Sequence, residues 1–219
     1  MRNKTITSIL LDAYREGVFP MAESAEDEGF AFYRPHMRGL LPIADLHIPA
    51  RLLKTLRKAP FTVTRDKAFE RIIALCAEAT GPKRGNTWIN APIQKIYGDL
   101  HRQGHAHSIE CWNKDGALAG GLYGVRIGAV FCGESMVSLE RDASKVALVH
   151  LAALLWEGGF EILDTQFINP HLLQFGAYEI PQEEYEKRIG AAMEKECFLP
   201  EKELPEILKD YLDFRLSRI

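Results

Sequence analysis

The chain has 219 residues, of which 47% are hydrophobic and 26% are charged, and its net charge at pH 7 is −3. This composition is that of an ordinary globular protein, long enough for one large domain or for a domain with a smaller companion. No apolar run approaches the ~20 residues of a membrane-spanning helix, and no signal peptide is expected at the N-terminus. We expect a cytoplasmic protein whose four scattered cysteines, without C-x-x-C spacing, are reduced thiols rather than disulfides or zinc ligands.

The net charge conceals a difference between the two halves of the sequence. Residues 1–110 contain 16 Lys and Arg against 12 Asp and Glu, whereas residues 111–219 contain 11 against 18. A basic front half could hold a phosphate backbone, although ordinary scatter of surface charge explains the same numbers.

The first part of the chain is predicted to contain two helices around an irregular segment. Thr5 or Thr7 can cap a helix that has an apolar stripe, and Gly17 can end it. Residues 17–43 are rich in Gly and Pro and too irregular for long elements. Pro49 suits the start of a second helix.

The rest of the chain mixes strands and helices. Residues 61–66 alternate as a short strand, a helix follows through Ala79, and Asn90 can cap a helix that Gly104 stops. Residues 105–138 favour three strands, with a hairpin signal at N-K-D-G. The later elements are a helix over 142–158, a buried strand over 160–167, a short helix near 170–174 and an acidic region from Pro181. This order predicts an α+β protein with helices packed on a sheet.

Two polar residues interrupt the apolar strand that ends in L-D-T-Q. Asp164 and Gln166 are two positions apart, so their side chains should lie on the same face. Buried polar groups need partners, and this pair is either a structural hydrogen-bonded pair or part of a site at the end of the strand.

A single carboxylate interrupts the stretch F-C-G-E-S-M-V-S at residues 131–138. Strict alternation puts Cys132, Glu134 and Met136 on one face of the strand, unless Gly133 marks a bulge. A carboxylate among apolar residues must reach water, pair with another group or change its pKa. Glu134 is therefore either the polar anchor of a small-molecule pocket or half of a salt bridge to a neighbouring strand.

The spacing of His101, His105 and His107 suggests a metal site only superficially. A helix end at Gly104 separates His101 from the other two, and no fourth ligand is near in the sequence. No metal site is predicted. A nucleotide cradle is not expected either, because the glycines of residues 116–128 lack phosphate-loop spacing.

Eight short blocks occur in a fixed order along the chain. They are YREGVFP (14–20), YRPHMRGLLP (33–42), TWIN (87–90), LHRQGHAHSIECW (100–112), GGLYGV (120–125), FCGESM (131–136), ASKVAL (143–148) and LDTQ (163–166). Together they resemble the leucyl/phenylalanyl-tRNA–protein transferases of bacteria, over about residues 7–180.

The resemblance implies a domain organisation and an activity. A GNAT-like catalytic domain, with a mixed sheet and packed helices, would span residues 61–190, after a small N-terminal domain at 1–60 and before an acidic C-terminal extension at 191–219. Such enzymes move leucine or phenylalanine from its tRNA to the α-amine of a protein that begins with Lys or Arg, which creates a degradation signal.

An aminoacyl ester is already activated, so no cofactor is expected. The expected partners are Leu-tRNA or Phe-tRNA and an acceptor protein or peptide, with no membrane, and the enzyme is expected to be a monomer.

The resemblance also implies a reaction centre at three of the residues described above. Asp164, Gln166 and Glu134 match the family's reaction centre. The Gln166 amide oxygen would accept from the incoming amine, while Asp164 would orient that amide or hold the cationic substrate.

Further family positions imply binding roles for apolar and basic residues. Leu122, Phe131 and Met136 match an apolar pocket for the aminoacyl side chain, and Trp88 matches a tryptophan near the terminal adenosine of the tRNA. Basic residues of the front half that could hold the acceptor-stem phosphates are Arg51, Lys54, Arg57, Lys83 and Arg84.

Three positions depart from the family's pattern. Tyr33 and Val137 stand where the family often has Trp and Phe, and Asp142 stands where it often has Asn. Asp142 is still expected to cap the following helix, whereas Val137 removes an aromatic ring near the predicted pocket.

Two other functions fit parts of the sequence. An acetyl-CoA-dependent N-acetyltransferase of the same fold would place a Gly-rich turn at the start of the helix over 142–158, but SLERDASKVAL contains no glycine. A non-catalytic tRNA-binding protein would not need Glu134, Asp164 and Gln166 together.

Overall fold

The structure is a computed structural model that describes residues 4–78 and 87–218. These residues form an α+β protein with a mixed sheet and packed helices, as the order of predicted elements indicated. In spatial order, the strands of the large sheet are β4 (Thr62–Arg65), β5 (Ala106–Trp112), β6 (Leu118–Ile127), β7 (Val130–Ser138), β8 (Ile162–Gln166), β3 (Met37–Leu41) and β9 (Tyr178–Pro181). A separate small sheet pairs β1 (Phe19–Met21) with β2 (Ala31–Tyr33).

Side chains alternate along the strands, so the hydrophobic core is divided into one layer on each face of the large sheet. The helices on what we call the first face are α1 (Ile6–Arg15), α3 (Phe69–Glu78), α4 (Ala91–Arg102) and α7 (Gln182–Met193). Those on the second face are α2 (Ala50–Lys58), α5 (Ala143–Glu157) and α8 (Leu204–Leu216), while the short α6 (Pro170–Leu173) follows β8. None of the helices in the described ranges combines the length and apolar character that crossing a membrane requires.

Helix α5 is apolar around its whole circumference because it is covered on nearly every side. Twelve of its 15 residues are buried, and it packs between the sheet and α8. Ile207 and Tyr211 of α8 are fully buried, and the Tyr211 hydroxyl donates to the carbonyl oxygen of Ile43 over 2.7 Å. Residues of the segment predicted as a C-terminal extension therefore belong to the main core.

Strand β3 lies inside the large sheet although it belongs to the residues predicted as a separate N-terminal domain. It pairs in antiparallel fashion with β8 on one side and with β9 on the other. The sheet therefore includes strands from both sides of the predicted boundary at residue 60.

The predicted helix starts agree with the structure, and side-chain capping is confirmed at two positions and wrong at a third. The side chain of Thr5 accepts from the Ser8 N–H, and that of Asn90 accepts from the Ile93 N–H. Asp142 precedes α5 in a left-handed conformation, with φ of 66°, and its side chain makes no capping bond. The Ser138 hydroxyl accepts from the Ser144 N–H instead. The helix that follows the strand at residues 61–66 was predicted to end at Ala79, which lies outside the described residues.

The parallel pairing of β7 with β8 is short. Residues 130–132 pair with residues 162–164, and β7 then continues to Ser138 without a partner in β8. The two strands separate beyond Cys132 and Asp164, which leaves space between them for a site.

We predict that Gly124 tolerates no side chain. A Cβ atom there would lie less than 3.0 Å from the Cys132 carbonyl oxygen and the Phe131 ring. Gly124→Ala should therefore lower the free energy of unfolding by about 3 kcal/mol, measured by urea denaturation.

The matched control is Gly190→Ala, at an exposed helical position where a Cβ would meet nothing within 4 Å. That substitution should stabilise by about 0.5–1 kcal/mol. Equal effects of the two substitutions would contradict the close packing at Gly124.

Candidate active site

A cavity of about 1330 Å³ occupies the region where β7 and β8 separate. Residues 133–139 of the β7 segment line one side, and Leu163, Thr165 and Phe167 line the other. Pockets for small molecules usually measure about 300–1,000 Å³. This cavity therefore has room for a ligand larger than one metabolite, or for two ligands side by side.

A β-bulge places Glu134 in this cavity. Tyr123 pairs with Ser135 and Gly124 pairs with Gly133, so Glu134 has no partner in β6. The extra residue reverses the alternation beyond it, so the faces predicted for the residues of β7 change at this point.

Strict alternation, which would put Cys132 and Met136 on one face, is wrong for this reason, and the alternative of a bulge beside Gly133 is confirmed. Cys132 belongs to the core layer of the first face, whereas Met136 packs on the layer of the second face beside Phe131. Because of the bulge, the side chains of Glu134 and Met136 lie on opposite faces of the same strand.

The carboxylate of Glu134 is held by hydroxyl groups from two helices. Tyr14 of α1 donates to Oε1 over 2.6 Å, and Tyr97 of α4 donates to Oε2 over 2.9 Å. Burial raises the pKa of Glu134 to about 7, because it outweighs these two hydrogen bonds, which favour the ionised form. Glu134 can therefore exchange a proton near neutral pH.

Asp164 forms a fully buried ion pair with Arg38 of β3. The Nε and Nη2 atoms of Arg38 donate to the two carboxylate oxygens over 2.8 and 2.6 Å. Tyr185 of α7 donates to Oδ2 over 2.9 Å, and Arg38 also donates to the carbonyl oxygen of Gly17. Burial lowers the pKa of Arg38, but the adjacent carboxylate outweighs it and raises that pKa above its usual value. Both groups are hydrogen-bonded, as buried charges require.

Gln166 ends β8 in an unusual backbone conformation that Asp164 stabilises. Its φ is 57°, in the left-handed region that few non-glycine residues adopt. Its N–H donates to Oδ1 of Asp164 over 2.9 Å, and its side-chain amide nitrogen lies 3.4 Å from Oε1 of Glu134. Gly39 lies opposite Gln166, and a Cβ there would crowd Thr165 and the backbone of Phe167. Arg38, Asp164, Gln166 and Glu134 thus form one continuous polar network.

The structure brings two of the three predicted pocket residues to the cavity. Leu122 and Met136 face each other across β6 and β7, and both line the cavity, as does Val137. Phe131 lies in the same core layer and is 1% exposed, but it is not on the cavity surface.

The predicted tRNA-binding residues do not all reach the cavity. Trp88 and Arg51 line it. Lys54 and Arg57 are exposed on α2 beside Arg51, and none of these three side chains forms an ion pair with a described residue. Lys83 and Arg84 lie outside the described residues.

Two histidines of the H-x3-H-x-H pattern lie beside Asp66, with Nδ1 of His101 3.8 Å from its Oδ1 atom. Nδ1 of His107 lies 2.8 Å from Oδ2 of Asp66, whereas Nδ1 of His101 lies 2.9 Å from the carbonyl oxygen of Ala106. In the described part of the chain, no group of three His, Cys, Asp or Glu side chains could hold a metal ion.

Four residues that hydrogen-bond to Glu134 or Asp164 were given no role from the sequence. Tyr14 and Arg38 lie within the YREGVFP and YRPHMRGLLP blocks, so their place in the family pattern was a signal that could have been used. Tyr97 and Tyr185 lie on the apolar faces of helices, where a tyrosine looks like any core aromatic residue. Nothing in the local sequence distinguishes them.

We predict that removing the cation of the buried pair is far more harmful than removing a nearby exposed arginine. Arg38→Ala leaves the Asp164 charge buried and unpaired, so the free energy of unfolding should fall by about 3–5 kcal/mol. Arg34→Ala removes an ion pair with Glu186 in which the arginine side chain is 52% exposed. It should cost less than about 1 kcal/mol. Similar losses in urea denaturation would show that the buried pair does not hold the site.

We predict that Glu134 makes the protein less stable as the pH rises. The pKa of Glu134 is raised from 4.5 to about 7, so the folded state binds more protons than the unfolded state between these values. Stability from this group is fully present below pH 4.5 and is lost as the pH rises through 7, by on the order of 3 kcal/mol.

Glu134→Gln keeps the shape of the side chain and removes the titration. Relative to this variant, the wild type should lose free energy of unfolding between pH 4.5 and 7, measured by urea denaturation at a series of pH values. A difference between the two proteins that is independent of pH would contradict the raised pKa.

Known proteins resemble this chain over most of its length. A family model described as leucyl/phenylalanyl-tRNA protein transferase matches residues 40–190. Relatives with that name from Caulobacter vibrioides (strain NA1000), Phenylobacterium zucineum and Nitrobacter winogradskyi are 52%, 52% and 53% identical, over 84–85% of this chain and 82–84% of theirs. A solved structure, L-PGS from Bacillus licheniformis, aligns over 92% of this chain and 73% of its own, with 13% identity and a TM-score of 0.40. The match to the family model and the identity to these relatives show that the chain belongs to the leucyl/phenylalanyl-tRNA protein transferase family, a family of enzymes.

Proposed function

We propose that this protein transfers leucine or phenylalanine from an aminoacyl-tRNA to the α-amine of a protein that begins with Lys or Arg, and so creates a degradation signal. The observation that carries the proposal is the cavity at Glu134, where a polar network meets an apolar wall and a tryptophan. The names of the relatives support the donor and the type of reaction.

The reaction requires positioning more than strong acid–base chemistry. The ester of the aminoacyl-tRNA is activated, and the acceptor is an α-amine with a usual pKa of about 7.7–8.0. About a tenth or more of this amine is neutral near pH 7, so holding it beside the ester can supply much of the rate. No cofactor is needed for such a transfer.

We assign different roles to the three predicted catalytic residues. Both oxygens of Asp164 already accept hydrogen bonds from Arg38, Tyr185 and the Gln166 N–H. Asp164 therefore positions Gln166 and is not free to bind a cationic substrate. The Gln166 amide oxygen accepts from the attacking amine while its nitrogen faces Glu134, and Glu134 supplies the negative charge that a basic acceptor approaches.

The apolar wall of the cavity would receive the side chain of the transferred amino acid. Leu122 and Met136 lie side by side there, and methionine adapts to ligands of different shape. This adaptability suits a pocket that accepts both Leu and Phe, with Val137 leaving space where the family often has Phe. Esters of Val or Ile should be disfavoured by only ~1–3 kcal/mol, because an apolar pocket discriminates weakly against a missing methylene.

The tRNA would contact Trp88 and the exposed cations of α2. Trp88 lines the cavity and offers a surface on which the terminal adenine can stack. Arg51, Lys54 and Arg57 are exposed cations on α2, of which Arg51 also lines the cavity, and they are suited to backbone phosphates. Recognition of this kind is largely independent of the tRNA sequence.

We further propose that the large sheet with α5 is a GNAT-like catalytic domain, and that the protein acts as a monomer in the cytoplasm. The antiparallel strands β4 to β7, the crossover through α5 and the short parallel pair of β7 with β8 support this architecture. The absence of a Gly-rich turn before α5 favours aminoacyl-tRNA over acetyl-CoA as the donor.

The test is a transfer assay with labelled Leu-tRNA or Phe-tRNA and peptides that begin with Lys, Arg, Asp or Glu. We expect label on the basic peptides, with kcat/KM lowered by about 100-fold or more in Glu134→Gln, the range typical of a lost electrostatic interaction in an active site. The matched control is Glu161→Gln, at an exposed carboxylate outside the cavity, which should transfer as the wild type does. Label on acidic peptides alone would overturn the acceptor assignment. Acetylation from acetyl-CoA, without transfer from tRNA, would overturn the donor assignment.

A further inference from the structure

The side chains of Tyr14, Glu134 and Tyr97 form a closed ring of oxygen contacts. Each hydroxyl lies within hydrogen-bond distance of a different carboxylate oxygen, at 2.6 and 2.9 Å. The two hydroxyl oxygens also lie within hydrogen-bond distance of each other, and either of them can be the donor in that contact. Three contacts therefore have to be satisfied by the protons that these three groups carry.

An ionised Glu134 leaves the ring one proton short. A tyrosine hydroxyl has one proton, and an ionised carboxylate is only an acceptor. If both hydroxyls donate to the carboxylate, no proton remains between Tyr14 and Tyr97, and their oxygen lone pairs face each other. The ring is therefore incomplete in this state.

A neutral Glu134 completes the ring. The carboxyl group donates its proton to one hydroxyl, that hydroxyl donates to the other, and the second hydroxyl donates to the free carboxyl oxygen. Three protons then satisfy three contacts, all in one direction around the ring. Such a chain of hydrogen bonds strengthens each of its members.

The other groups around Glu134 leave this preference in place. Gln166 and Asp164 face it from β8, Arg38 from β3, Cys132 from its own strand and Tyr123 from β6. The charge of Arg38, which is paired with Asp164, and hydroxyl donation from Tyr14 and Tyr97 favour the ionised carboxylate, whereas the charge of Asp164 favours the neutral one. Burial favours the neutral form.

We propose that Tyr14 and Tyr97 are positioning residues that prepare Glu134 to take the proton which the acceptor's α-ammonium group loses before it attacks the ester. This inference rests on the proposed function. The ionised carboxylate takes one proton from the ammonium group, and the ring is then complete. The nitrogen lone pair forms the amide bond, the ester C–O bond breaks, and the second amine proton goes to the ribose oxygen of the tRNA. Glu134 then releases its proton to solvent, so each cycle yields one amide, one free tRNA hydroxyl and one proton.

The first test compares tyrosine-to-phenylalanine variants at two pH values in the transfer assay. At pH 7 the acceptor amine is largely protonated, and Tyr14→Phe and Tyr97→Phe should each lower kcat/KM about 10-fold, a part of the ~10²–10⁴-fold contributed by a general base. At pH 9 the amine is already neutral, so both variants should come within about 2-fold of the wild type. A loss of the same size at both pH values would indicate a structural role only and would overturn the proposal.

Tyr123→Phe is the matched control. Tyr123 is fully buried beside Tyr97, and its hydroxyl has no hydrogen-bond partner among the described residues. This variant should show no loss that changes between pH 7 and pH 9. A pH-dependent loss equal to that of Tyr14→Phe would show that any nearby hydroxyl has the same effect, and would overturn the assignment to the ring.

The double variant Tyr14→Phe/Tyr97→Phe tests whether the two hydroxyls act as one unit. A ring is broken by the loss of any one member, so the double variant should be about as slow at pH 7 as either single variant. A loss equal to the product of the two single losses would mean independent donors and would overturn the shared ring.

A titration without substrate separates this inference from the proposed function. Protein labelled with ¹³C at the glutamate carboxyl carbons would be titrated by NMR, with the Glu134 signal identified by its absence in Glu134→Gln. The midpoint should lie near pH 7. A midpoint near 4.5 would overturn the ring even if the transfer assay succeeds. A midpoint near 7 without transfer to any peptide would instead retain the ring and overturn the proposed function.

Discussion

The buried pair of Arg38 and Asp164 is the interaction on which the site depends. Removing two charges from water costs several kcal/mol for each ion, so the pair is stable only with close geometry and further hydrogen bonds. The two direct hydrogen bonds, the Tyr185 hydroxyl and the Gly17 carbonyl oxygen supply them. These partners connect β3, β8, α7 and the end of α1. A pair with so many requirements fixes the relative positions of the elements that carry the proposed reaction centre.

Two irregularities of the sheet convert this fixed frame into a cavity. The left-handed backbone of Gln166 ends β8, and the bulge at Glu134 interrupts the pairing of β7 with β6. Both occur just beyond Cys132 and Asp164, the last parallel pair of β7 and β8. Strain of this kind persists only where the surroundings enforce it, and at Gln166 the carboxylate of Asp164 does so directly.

The bulge also separates two kinds of chemistry across one strand. Glu134 meets the hydroxyls of Tyr14 and Tyr97 on the first face, in a hydrogen-bonded polar cluster. Met136 meets Leu122 on the second face, where an apolar surface can receive a hydrocarbon side chain. A regular strand would put Glu134 and Met136 on the same face. The extra residue therefore places a polar centre and an apolar pocket close together without mixing them.

The sequence alone determined the α+β class, the helix starts at Thr5 and Asn90, and a set of candidate residues that the structure partly gathers at one cavity. These features depend on local pattern or on short blocks, so they can be predicted from neighbouring residues. Only the tertiary structure decided which partners the candidates have. Arg38 and Asp164 are 126 positions apart, and Tyr14 and Glu134 are 120 apart, so no local pattern connects them. The bulge likewise depends on the pairing of β6 with β7, because an unpaired residue exists only relative to its partner strand.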